Sequence, residues 1–404
     1  GGGGGGGGSC YIDAGGTDTT ITQASASTAA NTGDADYAGS AGQGGSGGAT
    51  SAAGVAGNDG RLVINYSRPG LIITLNHTNG EMAVGRPNQR KVVRDSSGYW
   101  YVAFMDYVTG TSTDYEVFLV KSSDINGDAW ETPVKLAGES GIVLSTTSGT
   151  YWPAIDIDRE NDVLHVLFTV EGTSGSVSLY HTKCTDLSNW NQATSWAQID
   201  GGTSPRYTAI TSDLHFYSTN AYRSNAIAVD SNGDAHVVYL RTTTGYPWYS
   251  YGSTSTGWDS DAAHPYQLDT FSVTKAYPSI DVDSSDTVHI VYSRMNGGYY
   301  QSIHHFYASS PFTSFSGPYA RIGLLSSNDL INGSIACDDD GNIHIVCEHE
   351  ENSEIWTAYY NGSSWTETEG MDTLGWVKPM VGAKLGGTDT VTDDIIIAPD
   401  SGTD

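Results

Sequence analysis

One pattern recurs five times along this chain: an apolar run, a tight turn begun by Asp, then a β-branched run that carries His or Tyr and ends on Tyr, Phe or Cys. Its clearest copy is Ser279-Ile280-Asp281-Val282-Asp283-Ser284-Ser285-Asp286-Thr287-Val288-His289-Ile290-Val291-Tyr292. The other four lead from Lys91-Val92-Val93-Arg94-Asp95 to Tyr101-Val102-Ala103-Phe104, from Ile155-Asp156-Ile157-Asp158 to His165-Val166-Leu167-Phe168, from Ile227-Ala228-Val229-Asp230 to His236-Val237-Val238-Tyr239, and from Ile335-Ala336-Cys337-Asp338 to His344-Ile345-Val346-Cys347. Alternating apolar runs around a short Asp-initiated turn predict a β-hairpin. The turn Asp residues stand 63, 72, 53 and 55 residues apart, which leaves room in each period for a second hairpin. After Tyr239 that second hairpin is Trp248-Tyr249-Ser250-Tyr251, a Gly/Ser/Thr turn and Trp258; after Cys347 it is Ile355-Trp356-Thr357-Ala358-Tyr359-Tyr360, the turn Asn361-Gly362-Ser363-Ser364 and Trp365. Four strands per period predict an all-β fold of propeller type.

The ends of the repeat array extend this expectation. Leu71-Ile72-Ile73-Thr74-Leu75-Asn76 and Glu81-Met82-Ala83-Val84 make one hairpin without a partner, and Lys378-Pro379-Met380-Val381 with Asp394-Ile395-Ile396-Ile397-Ala398 resembles the first half of a repeat. Joining 71–84 to 378–398 predicts a six-bladed β-propeller over 67–404 whose last blade is composite and which leaves no open sheet edge.

Charge narrows the partners. Eighteen Lys and Arg against 46 Asp and Glu give a net charge of -28. A surface so acidic repels phosphate backbones, which excludes nucleic acid as a general partner. No apolar run approaches the ~18 residues of a membrane span. The chain opens on eight glycines without a Met, so a processed leader or a longer upstream chain is expected. Four cysteines are too few for a disulfide framework. If the turn covers Asp338 to Asn342, Cys337 faces about Ile343, and Cys347 lies roughly 13 Å further along the strand, beyond bridging distance. Both are expected to be small core residues, while Cys10 and Cys184 have no assigned role.

Residues 1–66 differ from the rest, with 20 of the 50 glycines in the first 60 positions and few large apolar side chains. Poly-Gly at Gly1 to Gly8, Gly/Ala/Ser loops and the closing strand Gly60-Arg61-Leu62-Val63-Ile64-Asn65-Tyr66 resemble the glycine-rich domains of phage tail-fibre adhesins, bacterial surface proteins and the anaplastic lymphoma kinase receptor type. That resemblance implies a rigid mount and an extracellular, cell-surface or virion location; the plain alternative is a flexible linker.

The recurring Asp residues are expected to bond backbone N–H groups in their own turns. The recurring His residues, 165, 236, 289 and 344, are expected to be packed and hydrogen-bonded, since a catalytic group is not needed four times. No cofactor is expected. Calcium at Asp156 and Asp158, at Asp281 and Asp283, or at Asp338, Asp339 and Asp340 is the one metal expectation that clustered carboxylates raise, though no copy has the twelve-residue loop of an EF-hand.

Ser122-Ser123-Asp124-Ile125-Asn126-Gly127-Asp128-Ala129-Trp130 resembles the Asp-box of sialidase-type (BNR) propellers with one extra residue, and Thr256-Gly257-Trp258 and Ser363-Ser364-Trp365 keep its last part. Relatives of that type include sialidases, other glycoside hydrolases, polysaccharide lyases and glycan-binding proteins. The resemblance implies a carbohydrate ligand at the strand ends opposite the Asp turns. Residues expected to line that end are Tyr151, Trp152, Tyr222, Arg223, Arg241, Tyr277, Arg294 and His349: aromatic rings for sugar faces, charged groups for hydroxyls or a carboxylate.

Tyr222-Arg223-Ser224-Asn225-Ala226-Ile227 is similar to the sialidase F/Y-R-I-P motif but lacks its Ile and Pro, and with Arg241 and Arg294 it would form the family's arginine triad. A hydrolytic carboxylate pair would come from Asp106, Glu171, Glu348 and Glu350. A lyase would use His304 or His305, with Tyr299 or Tyr300 as partner and Arg294 on a uronate. His304 and His305 point to opposite sides of a strand, so at most one faces a site. Arg223, Arg241, Arg294, Glu350 and His305 are therefore the catalytic candidates. The first expectation is a binding protein for a glycan or cell-surface receptor, within a larger assembly or homo-oligomer; a carbohydrate-active enzyme and a structural appendage subunit are the alternatives.

Overall fold

The computed structural model describes residues 89–372 apart from 108–114, 128, 173–176, 212–213, 215–224, 242–245, 259–264, 271–276, 297–299, 323–329, 339 and 350–353. The glycine-rich segment 1–66, the strands expected over 71–84 and 378–398, and Cys10, Tyr222, Arg223, Tyr299, Asp339 and Glu350 lie outside the described residues, as does the side chain of Tyr300.

The described chain is all-β, organised as five separate sheets in sequence order. Sheet 1 holds Val92–Arg94, Trp100–Tyr107, Tyr115–Lys121 and Val134–Gly138; sheet 2 holds Thr150–Asp158, Val163–Glu171, Val177–Cys184 and Thr208–Thr211. Sheet 3 holds Asn225–Val229, Ala235–Leu240 and Pro247–Ser253, edged by Gly257–Trp258 and Tyr266–Gln267. Sheet 4 holds Ser279–Val282, Val288–Asn296, Tyr300–Ala308 and Ser316–Ile322, and sheet 5 holds Leu330–Cys337, Ile343–His349, Glu354–Tyr360 and Trp365–Asp372. The main strands of each form an antiparallel meander, with Leu144–Ser145 added in parallel at the edge of sheet 1, and in sheets 2 to 5 the first strand is buried along its whole length, whereas Val92–Arg94 of sheet 1 buries only Val93.

The repeated Asp closes each first hairpin by the expected local bonds. Asp95 Oδ1 accepts from Tyr99 N at 2.8 Å, Asp158 Oδ1 from Glu160 N at 3.0 Å, Asp230 Oδ1 from Asn232 N at 2.9 Å, Asp283 Oδ1 from Ser285 N at 2.8 Å, and Asp338 Oδ1 from Asn342 N at 2.7 Å. The second carboxylate oxygen reaches the recurring ring of the next strand: His236 at 3.3 Å, His289 at 3.2 Å, His344 at 3.2 Å and the Tyr101 hydroxyl at 3.2 Å. Sheet 2 departs from this scheme: Asp158 Oδ2 accepts from Asn161 Nδ2 at 2.8 Å, and His165 lies against His181 instead.

Neighbouring sheets are joined where their first strands meet. Arg90, just before the first strand of sheet 1, donates to Asp156 of sheet 2 and, at 2.9 Å, to Asp281 of sheet 4. Each of those carboxylates also accepts a backbone N–H from the following sheet, Val229 at 2.8 Å and Cys337 at 2.7 Å. One guanidinium and two carboxylates thus tie all five first strands together. Burial opposes the charge of Arg90, but Asp156 and Asp281 more than offset this and hold its proton above the ordinary arginine range.

Apolar side chains fill the spaces between sheets, for example Val291, Ile303 and Ile322 of sheet 4 against Ile335, Ile345 and Trp356 of sheet 5. Cys337 pairs in register with Ile343, and Cys184, Cys337 and Cys347 are all buried. Burial pushes the Cys184 thiol up to about 12, which makes it a packing residue and not a nucleophile. Among the described residues no helix is long and apolar enough to cross a membrane.

Candidate functional site

The sheets are least alike at the end opposite the Asp turns. There, two first strands carry a β-bulge, between Tyr151 and Ala154 in sheet 2 and between Ile331 and Ser334 in sheet 5. Each bulge puts a non-glycine residue in the left-handed region, Trp152 at φ 53° and Asn332 at φ 55°. Both stand six residues before the turn Asp of their sheet. Such a backbone costs about 1 kcal/mol or more and re-aims the side chain it carries.

A buried polar network connects the bulged strand of sheet 2 to sheets 1 and 3. Gln89 Nε2 donates to Trp152 O at 3.3 Å and to Asn225 Oδ1 at 3.1 Å, while Gln89 Oε1 accepts from Lys91 Nζ at 2.8 Å. Lys91 also donates to Pro153 O. Burial holds the Lys91 ammonium well below its usual range. At the sheet 5 bulge, Asn332 Nδ2 donates to Glu348 Oε2 at 2.6 Å. Among the described residues, three buried atoms of this group find no hydrogen-bond partner: Trp152 Nε1, Asn225 Nδ2 and Asn332 Oδ1. Native interiors leave few such groups, and here two donors and an acceptor fall near the starts of three first strands.

A second group belongs to sheet 4. Arg294 Nε donates to Asp269 Oδ2 at 2.7 Å, and the Tyr292 hydroxyl donates to the same oxygen. Across the strand pair, His304 stands opposite Tyr292 and Ser302 opposite Arg294. Ser302 Oγ and His304 Nε2 are 2.8 Å apart, and His304 Nδ1 is buried without a partner. Burial lowers the His304 pKa to about 4, Arg294 adding to the effect and Asp269 opposing it, so the imidazole is neutral at pH 7.

Of the residues expected at this end, the structure places Trp152 in the first network and Arg294 in the second. Arg241 lies over the Trp248 ring at 4.6 Å. Tyr151 is buried against Tyr115 at 5.6 Å between ring centroids, Tyr277 is buried, and His349 stacks on Trp356 at 5.5 Å. His304, rather than His305, shares the Arg294 side of its strand; His305 faces His289 and Trp365. For calcium, Asp156 and Asp281 are occupied by Arg90, and Asp158 and Asp283 by their own turns. Among the described residues no group of three or more His, Cys, Asp or Glu is arranged to hold a metal ion.

Gln89, Lys91, Asn225 and Asp269 were not singled out from sequence. Lys91 carried a readable signal, because its repeat position is Ala or Ser in the other four copies. Asp269 lies after the short edge strand Tyr266–Gln267, outside any repeat, and carried none.

No protein-family model matches this chain, and no curated protein does. Solved structures similar to it include a Hadza microbial sialidase (11% identity, TM-score 0.45, covering 74% of this chain and 61% of the sialidase). A polysaccharide lyase described as an ulvan lyase is similar at 13% identity and TM-score 0.47, over 73% of this chain and 74% of the lyase. A lectin from Burkholderia pseudomallei is similar at 11% identity and TM-score 0.44, over 73% and 74%. This chain thus spans less than two thirds of the sialidase, and the likeness assigns no chemistry to its residues.

Proposed function

We propose that the chain is a glycan-binding protein that holds its ligand at the sheet ends opposite the Asp turns. The observation that carries this reading is the set of buried, unpartnered polar atoms there, Trp152 Nε1, Asn225 Nδ2 and Asn332 Oδ1. A saccharide matches them because one sugar ring offers several hydroxyls, each able to donate and accept. The five meanders are the blades of a propeller in this reading, closed by a sixth drawn from 71–84 and 378–398. The glycine-rich segment 1–66 is its mount, and the protein works outside the cell or on a virion, within a larger assembly.

A carbohydrate-active enzyme of lyase type is the second reading, favoured by one observation: His304 Nδ1 is unpartnered in the group that holds Arg294. Against it, the facing phenol Tyr292 is fully buried and its hydroxyl is committed to Asp269, which withholds it from acid–base work.

Incubating the protein with uronate-containing, sialylated and neutral glycans, while recording retained ligand and product masses together, separates the readings. Retention without products supports binding. Products 18 Da lighter than those of hydrolysis mark elimination and establish the lyase, and absence of both retention and products overturns both readings.

A further inference from the structure

Two inter-sheet crevices in this molecule share one plan. In sheet 2, His165 Nδ1 and His181 Nε2 are 3.1 Å apart; in sheet 4, His289 Nδ1 and His305 Nε2 are 3.0 Å apart. In each case the second histidine meets a Trp from the following sheet, Trp258 at 5.1 Å and Trp365 at 5.4 Å between ring centroids. Lys183 stands opposite His165 in register, and Tyr307 opposite His289. Thr208 stands opposite His181, and Tyr319 opposite His305.

The first crevice is shut. Lys183 is buried and donates to Ile199 O at 2.5 Å, and Ile210 and Trp258 both pack against the core of sheets 2 and 3. The second is open and aromatic: Tyr307 is 37% exposed and Tyr319 42%, and their rings stack at 6.0 Å. Arg321 reaches into it, over the Tyr319 ring at 5.0 Å and the Trp365 ring at 4.5 Å.

Among the described residues no carboxylate pairs with Arg321, and its Nε is buried without a hydrogen bond to any of them. Burial works against its charge, and the hydroxyls of Tyr307, Tyr319 and Tyr360 oppose that effect. A half-buried guanidinium is matched by an anionic group, carboxylate or sulfate, and exposed phenol and indole faces are matched by the apolar face of a pyranose.

We propose that the crevice between sheets 4 and 5 is a second saccharide subsite, which takes a pyranose bearing an anionic group on Arg321 and the sugar ring on Tyr307, Tyr319 and Trp365. It is separate from the proposed site at the strand ends.

The test is a titration of the full chain, labelled with 15N at the tryptophan indoles, with methyl glucuronide, methyl glucoside 6-sulfate and methyl glucoside. The readout is the indole N–H resonance of Trp365, assigned with W365F. Because Trp365 belongs to the crevice alone, failure here is distinguishable from failure at the strand ends. The expected result is a saturating Trp365 shift with one or both charged sugars, and affinity at least tenfold weaker for the neutral one. A response to the glucuronide only assigns a uronate ligand, and a response to the sulfate only assigns a sulfated sugar. Arg321→Gln should weaken that titration at least tenfold. The exposed Tyr319→Ala provides a variant that keeps the core intact and should weaken it several-fold. An unmoved Trp365 resonance at millimolar sugar, equal response to the neutral glucoside, or unchanged affinity in both variants would overturn the proposal.

Discussion

The crevice between sheets 2 and 3 and the crevice between sheets 4 and 5 start from the same histidine pair and the same tryptophan but end as different surfaces. In the first, Trp258 sits on Gly252, where an added Cβ would lie 2.8 Å from the indole, and Lys183 spends its charge on a buried carbonyl. In the second, Trp365 leans on Tyr360 at 5.2 Å, and the position of Lys183 is taken by Tyr307. The repeated pattern therefore sets the backbone and the buried histidines. Whether a crevice is core or surface is decided by a few positions that do not repeat: Gly252, Lys183 and Ile210 on one side, Tyr360, Tyr307 and Arg321 on the other.

The sharpest test of that separation is to disturb what both crevices share. Arg90→Met leaves Asp156 and Asp281 buried without their cation, which should cost about 3–5 kcal/mol. Because the two carboxylates also hold Val229 and Cys337, urea unfolding should fall at a lower midpoint by fluorescence and by circular dichroism alike. A variant in which only one crevice loosened would break the idea of a common frame.

Acid should act unequally on the two. Burial holds His165 at about 3, and holds His181 and His305 well below the usual value of 6.5. A histidine whose pKa is depressed by folding binds its proton more readily in the unfolded chain. Its contribution is therefore complete above pH 6.5 and is lost as pH falls toward the folded value. Unfolding free energy should drop between about pH 6.5 and 3, by on the order of 3–5 kcal/mol for the sheet 2 pair. Below 3.8 the depressed Asp230, Asp283 and Asp338 add loss in the same direction, because their hydrogen bonds favour the charged form against burial. The double variant H165Q/H181Q should flatten the acid limb more than H305Q, and equal flattening would mean the two crevices are equally dry.

The tryptophans give a smaller contrast. Both indoles are half-buried, but Trp258 packs on Gly252 and His181 against the core of sheets 2 and 3 while Trp365 packs largely on Arg321 and Tyr360, so Trp258→Ala should cost about 3–4 kcal/mol and Trp365→Ala about 1–2 kcal/mol, measured as shifts in urea midpoint.

How much of this could be read in the sequence follows from the range of each interaction. The Asp turns and their histidines were legible because donor and acceptor lie within about six residues and recur. The turn at Asn361 was legible for the same reason, with Asn361 Oδ1 accepting from Ser363 N at 3.1 Å and Ser364 N at 2.9 Å. The Arg90 hub was not legible: its partners lie 66 and 191 residues away, and Asp156 and Asp281 suggested a cation site while an arginine filled that role. Strand parity established that His304 and His305 oppose each other. Which of them meets Arg294 depended on Arg294 pairing with Ser302, a register that no local pattern fixes. Arg321 was invisible because its strand, Ser316–Ile322, follows no repeat and its meaning depends on Trp365 from the next sheet.

The smallest expected effect on stability separates surface from core most cleanly. Tyr319 is 42% exposed and contributes to the open crevice mainly one ring face, under Arg321 and beside Tyr307. Tyr319→Ala should therefore shift the urea midpoint by less than about 0.5 kcal/mol equivalent, the range of surface substitutions away from caps and networks. A cost above about 2 kcal/mol would mean that the stacked tyrosines are structural, so that the two crevices differ in composition but not in kind. A negligible cost would leave the exposed aromatic pair without a role in folding. Its role would then lie in what it contacts outside the chain, as the proposed saccharide subsite requires.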